Sequence, residues 1–409
     1  MRSVKISIPG AYWDSQLYSG EMILFTDAGS LHRIDWRAAI DKVADAHKEV
    51  RTALRVAFMD GDLFYNDKVR KILLDPELAR PIRQQLEKLA NRAWNLTVSG
   101  PNNGVEVGSP FDFTPTDTDV YYNTLIASGD EGLFSCSRTH LGKRNPSLFS
   151  EKHHDASFLQ VKASDRHTAI AAAAGADGLM EFGFERDGPD ANLGAEKYLA
   201  KRSCSACEWA FQSVVGWSEE SAFLASFKEE RLKGGREKIR LFERVIDFSE
   251  VFADGPTPAQ SFSWGGREKF YRIDRGDVTV VERRDSANRK KRPDESKGDF
   301  QVIGGLDTNF DSSDVLATGT APFGSVIEFS DRLIVIRSDG EIDTFQGELV
   351  HWRIFPRSSH YSNQLHLIYE SHMDVVSFVH DYFVDQGGKK FGFAKATDSL
   401  SEEVFHEFM

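Results

Sequence analysis

From Ser330 to Gln346 apolar and polar residues alternate, break at Ser338-Asp339-Gly340 and alternate again, with Leu333, Val335, Ile342 and Thr344 keeping the period of two. A period of two puts successive side chains on opposite faces of a strand. Asp-Gly accepts the positive φ of a tight turn, so the stretch predicts a β-hairpin. The pattern recurs at Glu21 to Trp36, Thr124 to Ser137, Thr168 to Phe184 and Glu268 to Glu282. Turn signals near Glu131, Asp177, Glu219, Gly276 and Gly340 follow at about 40–65 residues, near the roughly 40–50 expected of a four-stranded blade. The longer intervals contain a Lys-Gly-Gly loop at Lys233 to Gly235 and a polar run from Arg283 to Gly298.

After Trp36 the period shifts to 3.6, with Trp36, Ile40, Val43, Val50, Leu54 and Ala57 on one helical face and Gly61 placed to end the helix. Asp75-Pro76 reads as a cap and first-turn proline. A second stripe follows at Leu78, Ile82, Leu86, Leu89, Ala93 and Leu96, with Pro81 marking where the regular helix should begin. Val98 to Pro110 reads as a loop rich in Gly, Pro and Asn. The isolated strand Ser3 to Ile8 needs a distant partner. Strands expected at Leu365 to Tyr369, Asp374 to Phe383 and Lys390 to Ala396 leave a four-stranded module one short. The expectation is therefore a mainly β fold: a seven-bladed β-propeller over residues 1–409 whose N-terminal strand closes the last blade. Within it lie an α-helical insertion at 36–97, a flexible basic loop at 283–299 and a helical tail at 398–409. Two separate all-β domains are the alternative. No common blade signature is present, and the chain resembles no family on its motifs.

Composition narrows the function classes. A formal charge of −13 argues against general nucleic-acid binding, which needs a clustered positive surface. Thirty Phe against six Met suit half-buried strands. Three cysteines do not make a disulfide framework, and no apolar run has the length of a membrane span or secretory signal. The expectation is a cytoplasmic protein with no membrane association and no cofactor.

Local chemistry is sparse. Cys204 and Cys207 form the single Cys-x-x-Cys, a spacing that can chelate zinc or act as a redox pair, although the other ligands of a structural zinc site are missing. His351, His360, His366, His372 and His380 gather late in the chain, and strand spacing puts His372 and Asp374 on one face, as a metal or acid–base pair requires. These four, Cys204, Cys207, His372 and Asp374, are the metal candidates. His153-His154-Asp155 is a lesser cluster. Asp307, Asn309 and Asp311 begin like a calcium loop, but Ser312 stands where the glycine belongs. Asp117-x-Asp119 and Asp60-x-Asp62 read as turn acids. Phosphate-loop, dinucleotide-fold and nucleophile-elbow motifs are absent. The one concentrated positive site is Arg283, Arg284, Arg289, Lys290, Lys291 and Arg292, a candidate for binding an acidic partner but without aromatic residues for base stacking.

These readings favour a non-enzymatic scaffold or sensor that binds another protein through its loops or helical insertion. The alternative is a propeller-type hydrolase acting on a glycan or small substrate with carboxylates gathered around a central channel.

Overall fold

A computed structural model describes residues 3–59, 67–73, 75–98, 104–187, 190–231, 238–253, 261–267, 269–283, 299–337, 340–358 and 360–379. The chain is mainly β, and its strands form seven four-stranded sheets. Every pairing within them is antiparallel. Six sheets are built from consecutive strands, led by Tyr12–Tyr18, Asp117–Tyr121, Gln160–Ala163, Ala206–Ala210, Ser261–Gly266 and Val315–Ala321. The seventh is led by His351–Ile354 and continues through Gln364–Ile368 and His372–Ser377 to the N-terminal strand Val4–Pro9. Each lead strand touches the next sheet's, and His351–Ile354 touches Tyr12–Tyr18 again.

The architecture is thus propeller-like, and its core is divided accordingly. Leu31 and Leu125 pack between the first and second sheets, Ile126 and Ile170 between the second and third, and Val335 and Leu367 between the sixth and seventh. A sheet covered on both faces has no solvent side. This is why Thr124–Gly129 and Ala169–Ala173 are buried at every position.

The expected hairpins form at their expected places. The last of them, Arg332–Arg337 with Ile342–Gln346, pairs the third and fourth strands of its sheet, whereas the others pair the second and third; Ser338 and Asp339 lie outside the described residues. The equivalent turn of the sixth sheet is at Ser330-Asp331, which explains part of the long last interval. His351–Ile354, not anticipated, supplies the seventh sheet's lead strand. The N-terminal strand lies beside His372–Ser377, Ser7 opposite Asp374. Lys390 to Ala396 and the tail at 398–409 lie outside the described residues. The stretch expected as a loop before Pro110 contains the strand Val105–Gly108, which completes the first sheet.

Among the described residues four α-helices stand between the third and fourth strands of the first sheet: α1 (Trp36–Ala46), α2 (Arg51–Phe58), α3 (Asp67–Leu73) and α4 (Pro76–Ala90). The Asp35 carboxylate accepts from the Ala38 amide to start α1, and the Trp36 amide bonds Gly20 O in the first hairpin. A 3₁₀ turn at Lys48–Val50 separates α1 from α2, and Gly61 lies outside the described residues. Asp75 caps α4 through the Glu77 amide and Pro76 opens it, but Pro81 lies inside the helix rather than at its start. Ala79, Ile82, Leu86 and Leu89 form its buried face, and their burial offsets the roughly 3 kcal/mol that an interior proline costs. Leu78 is half exposed and Ala93 exposed.

This helical unit packs on the seam between the first and seventh sheets. Ala57 O accepts from Asn363 Nδ2 and Ser377 Oγ, and Phe58 O from Gln364 Nε2 and Trp36 Nε1, so carbonyls at the end of α2 are satisfied by the seventh sheet and by α1. Ser7 N donates to Trp94 O and Leu96 N to Ser7 O, tying the unit's far end to the N-terminal strand. Among the described residues no helix is long and apolar enough to cross a membrane.

Candidate functional site

The lead strands carry polar residues at alternate positions: Asp14 and Gln16, Asp117 and Asp119, Gln160 and Lys162, His351 and Arg353. A strand's alternation sends each pair to one face. These side chains stitch neighbouring sheets together. Asp117 Oδ2 accepts from Val161 N at 3.0 Å and Asp119 Oδ2 from Ala163 N at 2.9 Å, while Gln160 Oε1 accepts from Cys207 N at 2.9 Å. Gln16 Nε2 donates to Thr118 O at 2.9 Å. Each is a side chain of one sheet satisfying backbone of the next.

Arg353 is the centre of the arrangement. Its Nη2 lies 2.6 Å from Asp14 Oδ2 and its Nε 3.1 Å from Asp14 Oδ1, while Nη1 reaches Asp117 Oδ1 at 2.7 Å and Thr118 O at 3.0 Å. All three charged groups are buried. Burial opposes the guanidinium charge, but Asp14 and Asp117 outweigh it and raise the Arg353 pKa. Burial likewise works against ionised Asp117, yet Lys162 and Arg353, with the Val161 amide, hold its carboxyl below the ordinary range. Arg357 makes a similar ion pair with Asp119.

Asp14, Asp117 and His351 offer donor atoms all within 4.8 Å of one another, the one such group among the described residues. Arg353 bonds both carboxylates and stands where a dication would sit. The donor set is therefore already neutralised, and a metal beside a buried guanidinium would meet repulsion.

Asp117, His351 and Arg353 themselves line a cavity of about 540 Å³. Lys162, Glu208, Thr318, Glu328 and His351 line its polar part, and Leu159 and Leu316 stand at its rim, 41% and 61% exposed. Glu208 is buried and forms no ion pair among the described residues; burial raises its pKa although Lys162, the Trp209 amide donating to Oε1 and Arg357 oppose it. Glu328 is raised for the same reason while accepting from Trp352 Nε1 at 2.8 Å. Burial pushes His351 down, keeping it neutral. Asp117 and Asp119, which also line this space, are committed to arginine and backbone, whereas Glu208 has Lys162 and Arg357 near it without a direct ion pair among the described residues, and Glu328 has the Trp352 indole.

No protein-family model matches the chain, and no curated protein matches it in sequence. Among solved structures it is similar to the AfRom2 CNH domain, at 13% identity over 68% of this chain and 82% of that one with a TM-score of 0.40. It is also similar to the computationally designed Ika8 protein, at 8% identity over 92% of this chain and 99% of that one with a TM-score of 0.43.

The residues singled out from sequence fall elsewhere. His372 and Asp374 share a strand face as expected, with Nε2 and Oδ1 3.8 Å apart, but Asp374 also pairs with Lys5 at 2.7 Å and accepts from Ser7 Oγ. Its place is the seam with the N-terminal strand. Cys204 and Cys207 are buried free thiols, and among the described residues no metal-ligating group forms around them. Arg283 ends a strand and reaches Ser226 Oγ at 3.4 Å, while Arg284, Arg289, Lys290, Lys291 and Arg292 lie outside the described residues. Asp117 and Asp119 are not turn acids: they sit buried in a lead strand because arginines and neighbouring amides receive them. Asp60 and Asp62 lie outside the described residues. His153 bonds Ser135 Oγ, His154 accepts from the Ala156 amide, and Asp311 caps a 3₁₀ turn. His366 is buried against Ser15 Oγ at 2.8 Å, and His380 lies outside the described residues. Sequence reading missed Asp14, Lys162, Glu208, Arg353 and Arg357. The usable signal was the charged residues two apart in the first strand of successive modules.

Proposed function

We propose that this chain is a seven-bladed β-propeller acting as a binding protein, whose cavity mouth receives a segment of another protein. The observation that carries the reading is the commitment of the converging carboxylates. A glycosidase needs one carboxyl to donate a proton and a second free to act as nucleophile or base. Here Asp14 and Asp117 are held by Arg353, and Asp119 by Arg357. That chemistry suits a rigid frame.

The mouth also supports a kind of partner. Leu159 and Leu316 give apolar contact at the rim, and the acids Glu208, Glu219 and Glu328 are part of the lining. A lysine or arginine flanked by apolar residues fits both: its stem lies along the leucines and its charge meets the acids. The helical unit, whose apolar face is spent on the sheet seam, is the lesser candidate for docking.

Quantitative affinity capture with the wild-type chain and a Leu159→Ser/Leu316→Ser variant of matched melting temperature tests this. The proposal expects partners enriched by the wild type to be lost from the variant. An unchanged partner set would rule out the mouth as the docking surface.

A further inference from the structure

A second cavity, of about 390 Å³, opens where the lead strands run out, with Glu208 and Arg357 forming part of the wall shared with the first. Its character is different. Trp209, Phe211 and Tyr271 give it aromatic walls, and exposed Arg166 and Arg267 join its lining. Among the described residues neither arginine has a carboxylate partner: Arg166 lies over the Phe211 ring at 4.1 Å, and Arg267 donates from Nη2 to Pro356 O. Arg357 and Lys269 are already paired with Asp119 and Glu282, and exposed Asp165 precedes Arg166.

A further observation points to an occupant. Thr320, which also lines this space, is 5% exposed, and its Oγ1 is buried without a hydrogen-bond partner. Such hydroxyls are uncommon unless a ligand or water completes them. Phe211 and Arg267 sit at the tips of adjacent hairpins with φ of +55°, the turn conformation also taken by Ser19 and Tyr122 at the corresponding hairpins of the first and second sheets. The Arg267 amide is itself fixed by Trp209 O at 2.7 Å.

We propose that this second cavity binds a small aromatic anion, its ring among Trp209, Phe211 and Tyr271 and its phosphate or carboxylate against Arg166 and Arg267. An aromatic floor with a few placed polar groups is the usual composition of a small-molecule site. Guanidinium groups match oxyanions through paired N–H donors, and Thr320 supplies a further hydroxyl. The site does not depend on the rim leucines of the first cavity.

Calorimetric titration of the full chain with 1-naphthyl phosphate tests it, beside 1-naphthol and inorganic phosphate. The expected result is saturable one-to-one binding of 1-naphthyl phosphate, with each half-molecule weaker by about tenfold or more. Arg166→Glu/Arg267→Glu should weaken binding by a similar factor with its melting temperature retained, and Leu159→Ser/Leu316→Ser should leave it unchanged. No saturable binding to wild type, equal affinity for 1-naphthol, or undiminished binding by the arginine variant would each overturn the proposal. Loss of binding in the leucine variant would place the anion in the other cavity and overturn it too.

Discussion

Arg353 and Asp14 face each other as a two-pronged pair, Nη2 to Oδ2 at 2.6 Å and Nε to Oδ1 at 3.1 Å, joining the seventh sheet to the first with both groups out of solvent. Such a pair adds little over an apolar replacement of both partners, but removing one leaves the other charged and unmet. Arg353→Leu should therefore destabilise the chain by about 3–5 kcal/mol in denaturant titrations near neutral pH. Asp117 gives the sign of the pH effect. Its folded pKa lies below the ordinary 3.8, so its contribution is present above that value and fades as pH falls below it. In the variant the stranded carboxylates favour protonation, so its deficit should narrow on acidification. A deficit independent of pH would contradict this account.

His366 titrates in the opposite chemical sense with the same outcome. Burial, reinforced by Arg353, pushes its pKa from the ordinary 6.5 down to about 3. The unfolded chain thus binds a proton that the folded chain refuses. The resulting stability is present above pH 6.5 and is lost as pH falls toward about 3. His366→Gln should flatten the fall of unfolding free energy between those values by up to about 1.4 kcal/mol per pH unit. Identical slopes would show that His366 does not carry the effect.

The helical unit should behave as part of the seam. Asn363 Nδ2 reaches Ala57 O at 3.1 Å and Ser377 Oγ at 3.0 Å, all buried. Asn363→Ala removes one hydrogen bond from each partner and leaves the Ser377 Oγ to Ala57 O bond in place, so it should lower stability by about 0.5–1.5 kcal/mol per bond lost. Hydrogen exchange should then quicken in α2 and the N-terminal strand together. Faster exchange in only one of them would separate the helices from the seam.

The thiols should be inert. Burial pushes Cys204 up to about 12 and Cys207 well above its ordinary range, so neither supplies thiolate near neutral pH. Brief iodoacetamide treatment of the folded chain should leave both unmodified by mass spectrometry, with full labelling after denaturation. Rapid native labelling of either would restore a redox or metal role.

The sheets were legible because alternation and Asp-Gly or Gly-containing turns are local signals, and Ser7 needed a partner that only a distant strand could supply. His351–Ile354 was harder to see: four residues with polar side chains at two positions look like loop until Asp14 and Asp117 are known to receive Arg353. The same holds for Asp117 and Asp119, whose spacing fits a turn and a strand equally. Their burial depends on partners more than 200 positions away, as with Asp119 and Arg357. Glu208 is a single acid between apolar neighbours. Its lack of an ion pair among the described residues is a property of the assembled lead strands and leaves no local trace.

Site-specific photocrosslinking tests the binding reading most directly. With p-benzoylphenylalanine replacing Leu316 at the cavity rim, irradiation in the native cell should give a discrete protein adduct, and replacement of exposed Ile72 in the helical unit should not. Adducts at Ile72 and none at Leu316 would contradict the assignment of the mouth as the place where this chain meets its partner.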